Sequence, residues 1–471
     1  MTTPPITLGV ILGNRDFFPD ALITEARRDL TNLFAQVGVE PIWLTDQETK
    51  LGDVQSWQDA VKCGDLFRRH RAEIAGILVC LPNFGDEKGV ADAIRLSELK
   101  TPVLVQACPD DIDQFGLERR RDAFCGKISV CNNLRQYRIP FSLTREHTVS
   151  ILNDRFREDL LEFLAVCRVT RGLRRVRLGA VGARPNAFNT TRFSEKLLEA
   201  AGISVNTIDL SEVFGQAAAI AGDDARVKAR IEQIRAYADA SSAPDESLLK
   251  MAKFSIVVDD WMQSLDLTAT AIQCWSSMQK NYGVNVCTIM SMMSQQMLPS
   301  ACEVDIAGVI SMYALQLASG KPSALVDWNN NYGKDPDKCV LFHCGNWAKE
   351  YLPDIRIGTA PILGTVLGEE NTVGALEGRT LAGALTFGRI STDDLNGTIK
   401  AYVGEGAFTD DPLQTFGTRA VAHVPGLQAL MQVICKGGFE HHAAMNGSHC
   451  AGAVAEALGN YLGWDVYRHQ A

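Results

Sequence analysis

The most constraining feature of this chain is an alternation, running from Ile6 through Ala107, of short unbroken apolar runs with longer stretches of helical periodicity. Ile6–Leu12 (ITLGVIL), 74–81 (IAGILVCL) and 102–107 (PVLVQA) are runs of strand length, and 39–44 is strand-like. Between the first two strands, Leu22, Ala26, Leu30, Leu33 and Phe34 share one helix face, and Gly38 stands where a left-handed C-cap is expected. A strand that is apolar on both faces must be buried on both, which predicts a parallel sheet covered by helices on either side.

The pattern then restarts. Val176–Val181 reads as a strand, Asn189, Thr190 and Thr191 offer N-cap oxygens, and Phe193, Leu197, Leu198 and Ala201 mark a helix ended by Gly202. Ile203–Ile208 and 254–258 (FSIVV) read as further strands, and the polar stretch 238–247 as a loop or helix end. Beyond about residue 340 the texture changes. Short β-prone pieces (CVLFH, IRIGTAPIL, RTLAGALTFGRI, TIKAYVGEG, RAVAHV) are separated by Gly, Asp and Pro turns, as in an antiparallel barrel or sandwich. Ala451, Val454, Leu458 and Leu462 then fall at helical spacing. The expected fold is α/β: two consecutive Rossmann-like α/β domains, 1–171 and 172–338, followed by a β-rich, antiparallel barrel-like domain, 339–471, with a C-terminal helix.

Composition narrows the class of function. With 46% hydrophobic and 22% charged residues, the 471-residue chain has the balance of a soluble globular protein. No apolar run reaches the roughly 18 residues of a membrane helix, so no membrane association is expected. The net charge of −10 argues against a nucleic-acid partner. Met1-Thr-Thr-Pro-Pro does not read as a signal peptide, and the thirteen scattered cysteines, never spaced CxxC, read as reduced thiols of a cytoplasmic protein. The nearest cysteine set, Cys339, Cys344, Cys435 and Cys450, has poor spacing for zinc. Neither GxGxxG nor GxxxxGK[ST] is present, so nucleotide binding is not expected.

Six of the eight histidines lie at or after His343, and three of them, His441, His442 and His449, fall within KGGFEHHAAMNGSHC. Glu303 (ACEVD) precedes an apolar helix-like run, and Asp327 follows the strand-like Ala324-Leu325-Val326. Any one of these acids could be an ordinary loop residue, and Asp305, two residues after Glu303, is a competing ligand candidate. Buried carboxylates must be paired, hydrogen-bonded or bound to a cation. Two carboxylates with one or two imidazoles and no thiolate suit Mn²⁺ or Mg²⁺ better than structural zinc. Arg15 and Asn83 fall just beyond two strands, at the edge where parallel sheets bind ligands, and either could contact a polyol or cap a helix.

These motifs resemble the L-fucose isomerase and L-arabinose isomerase superfamily, over nearly the whole chain. CEVD with Glu303 and LVDWN with Asp327 resemble the paired metal-binding carboxylates of the fucose-type enzymes, FHCGN with His343 resembles a further histidine site, and GGFEHH resembles the C-terminal histidine ligand motif. The resemblance implies a metal-dependent aldose–ketose isomerase acting on a free monosaccharide, fucose- or arabinose-like or modified. Glu303 and Asp327 would be the catalytic acid–base pair acting through a cis-enediolate, with a hydride shift as the other route. Glu303, Asp327 and His442 would hold Mn²⁺ (or Mg²⁺ or Co²⁺), with His343 a fourth ligand or sugar contact and His441 competing with His442. Arg15, Asn83 and Gln273 would be sugar contacts. A homo-oligomer, with a hexamer as the expected form, is also implied. The competing readings are another metal-dependent sugar enzyme (a lyase or hydrolase) and a non-catalytic sugar-binding protein.

Overall fold

Five strands run parallel in the first 143 residues: β1 (Ile6–Leu12), β2 (Val39–Ile42), β3 (Gly76–Leu81), β4 (Val103–Ala107) and β5 (Ser142–Leu143), in the order β2-β1-β3-β4-β5. The structure, a computed structural model, describes residues 5–470. Strand side chains alternate between two separate apolar cores, as the pleat requires. Leu8, Val10, Leu78 and Leu104 pack with helices Ala21–Val37 and Asp154–Leu173. Ile11, Ile77, Val79 and Val105 pack on the other side with helices Trp57–Arg69, Glu87–Ser97 and Ala123–Gln136. The expected two-sided cover is therefore present. Gly38 closes the first helix at φ 71°, in the left-handed cap anticipated for it. The segment 456–463 belongs to the same compact unit as 1–171. Its Tyr461 hydroxyl donates to the Val103 carbonyl and accepts from the Val103 N–H.

The second compact unit comprises 172–455 and 464–471. It opens with a parallel sheet ordered β7-β6-β8-β9, formed by β6 (Val176–Val181), β7 (Ile203–Ile208), β8 (Ala269–Ile272) and β9 (Ser300–Cys302). The FSIVV stretch is not a strand. It lies inside helix Asp245–Ser264, with Phe254 through Val258 all buried. A short apolar run buried on every side is ambiguous by periodicity, and here the run belongs to a 20-residue helix with acidic residues in its first turn. Asn189 to Thr191 form a 3₁₀ turn, and the helix expected there begins only at Glu195.

A large mixed sheet follows. Its strands are β10 (Ser323–Asn331), β11 (Lys338–His343), β12 (Arg356–Gly358), β13 (Ala375–Arg379), β14 (Gly383–Asp393), β15 (Thr398–Thr409), β16 (Thr418–His423), β17 (His442–Asn446) and β18 (Asp465–Arg468). Six of them close on themselves: β16, β11, β10, β17, β14 and β15 pair antiparallel in turn, and β15 pairs back to β16. Closure removes the exposed edges that so many short strands would leave. The apolar helix Ile306–Ser319 packs against β10, β14 and β17. Among the described residues, no helix is long and apolar enough to cross a membrane.

Candidate metal centre

The barrel strands deliver three of the expected side chains. Asp327 of β10 lies in direct register with His442 of β17 on one side and with Phe342 of β11 on the other, next to His343. The fourth, Glu303, follows β9 in the parallel sheet. Glu303 and Val304 both adopt left-handed backbone, at φ 55° and 56°. For a β-branched residue such as Val304 this is a strained geometry, of order 1–3 kcal/mol, and such strain clusters at functional sites. The bend ends β9 and is followed at once by helix Ile306–Ser319, with Asp305 as its N-cap, accepting from Gly308 N–H at 2.8 Å.

The donor atoms converge. Glu303 Oε2 lies 3.6 Å from His343 Nε2 and 3.6 Å from His442 Nε2, and His442 Nε2 lies 3.5 Å from Asp327 Oδ1. His441 Nε2 is 3.4 Å from the same Asp327 oxygen, but its side chain is 41% exposed against 1% for His442. Cis donors about an octahedral cation with bonds near 2.1 Å stand about 3 Å apart, so this set is slightly open around a space of cation size. Glu303 Oε1 accepts from Trp275 Nε1 at 2.9 Å, whereas Oε2 is buried with no hydrogen-bond partner. A buried, unsatisfied carboxylate oxygen aimed at two imidazoles fits a cation ligand. Phe188 packs on Trp275, His441 and His442 and walls the site.

Electrostatics set the protonation states. Burial disfavours the Glu303 anion, yet His343 and His442 beside it hold its carboxyl below the usual range. Burial and the neighbouring His442 push His441 down, towards the neutral imidazole. Burial opposes the His343 cation, but Cys344 and Glu303 carry its pKa well above the ordinary value. His442 Nδ1 donates to Asp305 Oδ2 at 2.8 Å, which in the neutral ring leaves the Nε2 lone pair facing Glu303 and Asp327.

Asp305 is therefore not a competing ligand. Its two oxygens are taken by Arg389, at 2.5 and 2.9 Å, as well as by His442 and the helix N-terminus. Two residues apart in a strand, Glu303 and Asp305 would share a face, but β9 stops at Cys302 and the left-handed bend redirects the chain. Arg389 also donates to Glu440 Oε2 at 3.0 Å, and Ser391 donates to Glu440 Oε1. No motif in the sequence signals this buried Arg389–Asp305–His442 relay. Arg389 sits in an ordinary β-strand pattern, and only the pairing of β14 with β17 brings it behind His442.

Gln273, just after β8, accepts from Ala183 N–H at 2.9 Å and adjoins Cys274, whose sulfur lies 3.5 Å from Glu303 Oε1. Arg15 and Asn83 belong to the first unit, beyond β1 and β3. Asn83 is fully buried, donating to Asn14 and accepting from Gly85 N–H, while Arg15 donates to the Gly85 carbonyl, pairs with Glu87 and lies over the Phe84 ring. Both side chains lock the loops at that sheet edge.

Two oxygen donors and two imidazoles, three of the four side chains carried by barrel strands and Glu303 by the bend after β9, define a candidate divalent-cation centre. Comparison with known proteins names the lineage. Residues 9–174 match the fucose/sulfoquinovose isomerase N-terminal domain, and residues 341–470 match the L-fucose isomerase C-terminal domain. The chain belongs to the fucose isomerase-like family. It is 27% identical over 252 residues to a sulfoquinovose isomerase of Priestia megaterium, covering 53% of this chain and 55% of that protein. It is 24% identical over 291 residues to a sulfoquinovose isomerase of Alkalicoccus urumqiensis, covering 61% and 64%. The matched stretches thus span between about half and two thirds of these relatives. Glu303 and Asp327 lie between the two matched domains, so their assignment rests on the geometry above.

Proposed function

We propose that the chain is a divalent-metal-dependent aldose–ketose isomerase acting on a free monosaccharide. The observation that carries this reading is Glu303 Oε2, buried and unsatisfied while facing the Nε2 atoms of His343 and His442. Glu303, Asp327 and His442 would hold the cation, with His343 as the fourth donor. Mn²⁺ is the expected ion, and Mg²⁺ and Co²⁺ suit the same set. When bound, it would supply Lewis-acid polarisation of the substrate carbonyl.

Isomerisation moves a proton from C2 to C1 and another from O2 to O1. In this reading Glu303 and Asp327 accept and return the carbon-bound proton, through a cis-enediolate. The depressed pKa of Glu303 keeps it in the base form at neutral pH. Trp275 fixes the Glu303 carboxylate plane through Oε1, and Phe188 limits access of water to the reacting face. Asp305, held by Arg389, orients His442.

The relatives are named for sulfoquinovose, and that name supports a sulfonated aldose as the substrate class here. A cavity of about 280 Å³ is lined by Val304, the residue after Glu303 in the chain, and by Gly182, Arg184, Thr191, Arg192 and Thr207. The Arg184 and Arg192 side chains there donate to backbone carbonyls of Pro185 and Asn189, which leaves their charge available to an anion. We read the cavity as the sulfonate end of the site. Gln273, beside Cys274 in the second unit, is carried as a further sugar contact. A cytoplasmic homo-oligomer belongs to the same reading, supported by free thiols throughout and by exposed apolar side chains such as Phe17, Ile112 and Leu117.

The test is a conversion assay on chelator-stripped protein given back Mn²⁺ and offered sulfoquinovose, fucose and arabinose. Metal-dependent formation of one ketose, with mass conserved, is the expected result. No conversion with metal bound would defeat the isomerase reading. In D₂O, solvent deuterium entering the product marks the enediolate route, and its exclusion marks a hydride shift.

A further inference from the structure

The sheet face turned away from the candidate metal centre carries charges that the proposed reaction does not use. Burial alternates along β11: Cys339, Leu341 and His343 are buried, whereas Lys338, Val340 and Phe342 are partly exposed. His343 therefore turns towards the metal centre and Phe342 away from it. Arg419 of β16 is in register with Phe342, and Arg379 of β13 is in register with Arg419. Both arginines are partly exposed, while Thr418 and Gly378 before them are buried. Glu377, two residues before Arg379 and on the same face, is in register with Arg356 of β12. Three guanidiniums thus gather on the face opposite His343.

Their charges are poorly matched. Glu377 Oε2 accepts from Arg356 Nε at 3.0 Å and also pairs with its Nη2. Arg379 Nη2 donates to the carbonyls of Thr409 and Asp411. Arg419 Nη1 donates to the Gly417 carbonyl at 3.0 Å, and its Nε is buried with no hydrogen-bond partner. The Asp411 carboxylate is taken by Lys338 at 2.8 Å and by the Thr409 hydroxyl at 2.7 Å. Among the described residues, neither Arg379 nor Arg419 forms an ion pair with a carboxylate. Carbonyls satisfy donors without cancelling charge, and strands in register stand about 4.8 Å apart, so the two cations repel. Burial, with Arg379 and Arg356 and against Glu377, pulls Arg419 below its ordinary pKa. All this stands in a chain of net charge −10, where an unmatched basic pair is out of keeping with the surface around it.

We infer that Arg379 and Arg419 form a binding site for a phosphate group, free or carried by a small monoester. Planar guanidinium forks match the oxygens of a tetrahedral oxyanion. A group that is close to a dianion at neutral pH cancels the two charges together. The site lies on the opposite side of β11 from the metal centre and is independent of the isomerase reading.

The experiment is calorimetric titration of the full chain, stripped of metal, with inorganic phosphate and with phenyl phosphate, at an ionic strength held constant with chloride. One equivalent should bind with a Kd of about 1 mM or tighter. Binding should persist in Arg184→Gln/Arg192→Gln, which separates it from the cavity read as the sulfonate end. It should weaken about tenfold or more in Arg379→Gln/Arg419→Gln, and also in Arg419→Lys, which keeps the charge but loses the fork. Phosphate should raise the Tm of the wild type and leave that of Arg379→Gln/Arg419→Gln unchanged. Binding of both ligands supports a site for phosphate itself, and binding of the ester alone supports a site for a phosphorylated metabolite. No binding of either to folded protein, affinity unchanged in Arg379→Gln/Arg419→Gln, or loss confined to Arg184→Gln/Arg192→Gln would overturn the inference. Turnover restored by Mn²⁺ reports on the isomerase reading separately, so the two can fail independently.

Discussion

Replacing Arg389 by methionine probes the relay behind His442 most directly. The guanidinium is fully buried and makes three charge-assisted hydrogen bonds, two to Asp305 and one to Glu440. Methionine fills much of the same volume but leaves two carboxylates in the interior with no cation. Removing one partner of a buried ion pair typically costs about 3–5 kcal/mol, because the remaining charge is stranded. The loss should depend on pH. Burial opposes ionisation of Asp305, but Arg389 and His442 hold its carboxyl well below the usual range. Stability from that depressed pKa is complete above the unfolded value near 3.9 and is lost as pH falls through the folded value. In the variant Asp305 takes up a proton more readily, so the deficit should be largest at neutral pH and shrink towards pH 4. Urea unfolding, followed by tryptophan fluorescence and circular dichroism at several pH values, measures this. Calorimetric Mn²⁺ titration should show affinity reduced about 10–100-fold, since Asp305, which orients His442, loses the group that holds it. A variant within about 1 kcal/mol of wild type at pH 7 and with unchanged Mn²⁺ affinity would refute the reasoning.

Glu303→Gln should preserve the fold and the Trp275 contact, yet abolish metal-dependent turnover and weaken Mn²⁺ binding; near-normal isomerase activity would remove Glu303 from the centre. His442→Ala should lower Mn²⁺ affinity far more than His441→Ala, because only His442 is both buried and oriented by Asp305. Gly308→Ala, ordinarily worth up to about 1 kcal/mol of stabilisation in a helix, should instead destabilise, because the added Cβ would lie 2.5 Å from Asp305 Oδ2 and 2.9 Å from Arg389 Nη1; thermal denaturation decides the sign. Arg184→Gln with Arg192→Gln should raise KM for a sulfonated sugar while leaving a neutral aldose unaffected, as steady-state kinetics on both would show.

Local patterns carried much of the architecture. Most of the first unit was legible because β1, β3 and β4 are apolar runs and the first helix has one apolar stripe, periods that appear without long-range information, whereas the two-residue β5 carries no such signal. The barrel texture was legible from turn spacing, although not its closure, which depends on β15 pairing with both β14 and β16. FSIVV misled because its composition suits a strand and its true period is visible only over the longer helix around it.

The site divides in the same way. Glu303, Asp327, His343 and His442 stand out in the chain because acids and imidazoles beside apolar strands must have partners if they are buried. Which of His441 and His442 turns inward was decided by register, since His442 pairs with Asp327 across β10 and β17. Asp305 changed from candidate ligand to support because two left-handed residues end the strand before it. Arg389 carries no local signal at all. Its meaning is a matter of which charges meet across strands far apart in sequence. Local pattern thus marks which groups need partners once they are buried. The fold sets which partners they find, because hydrogen bonding and ion coordination act over a few ångströms between residues that the chain separates by dozens.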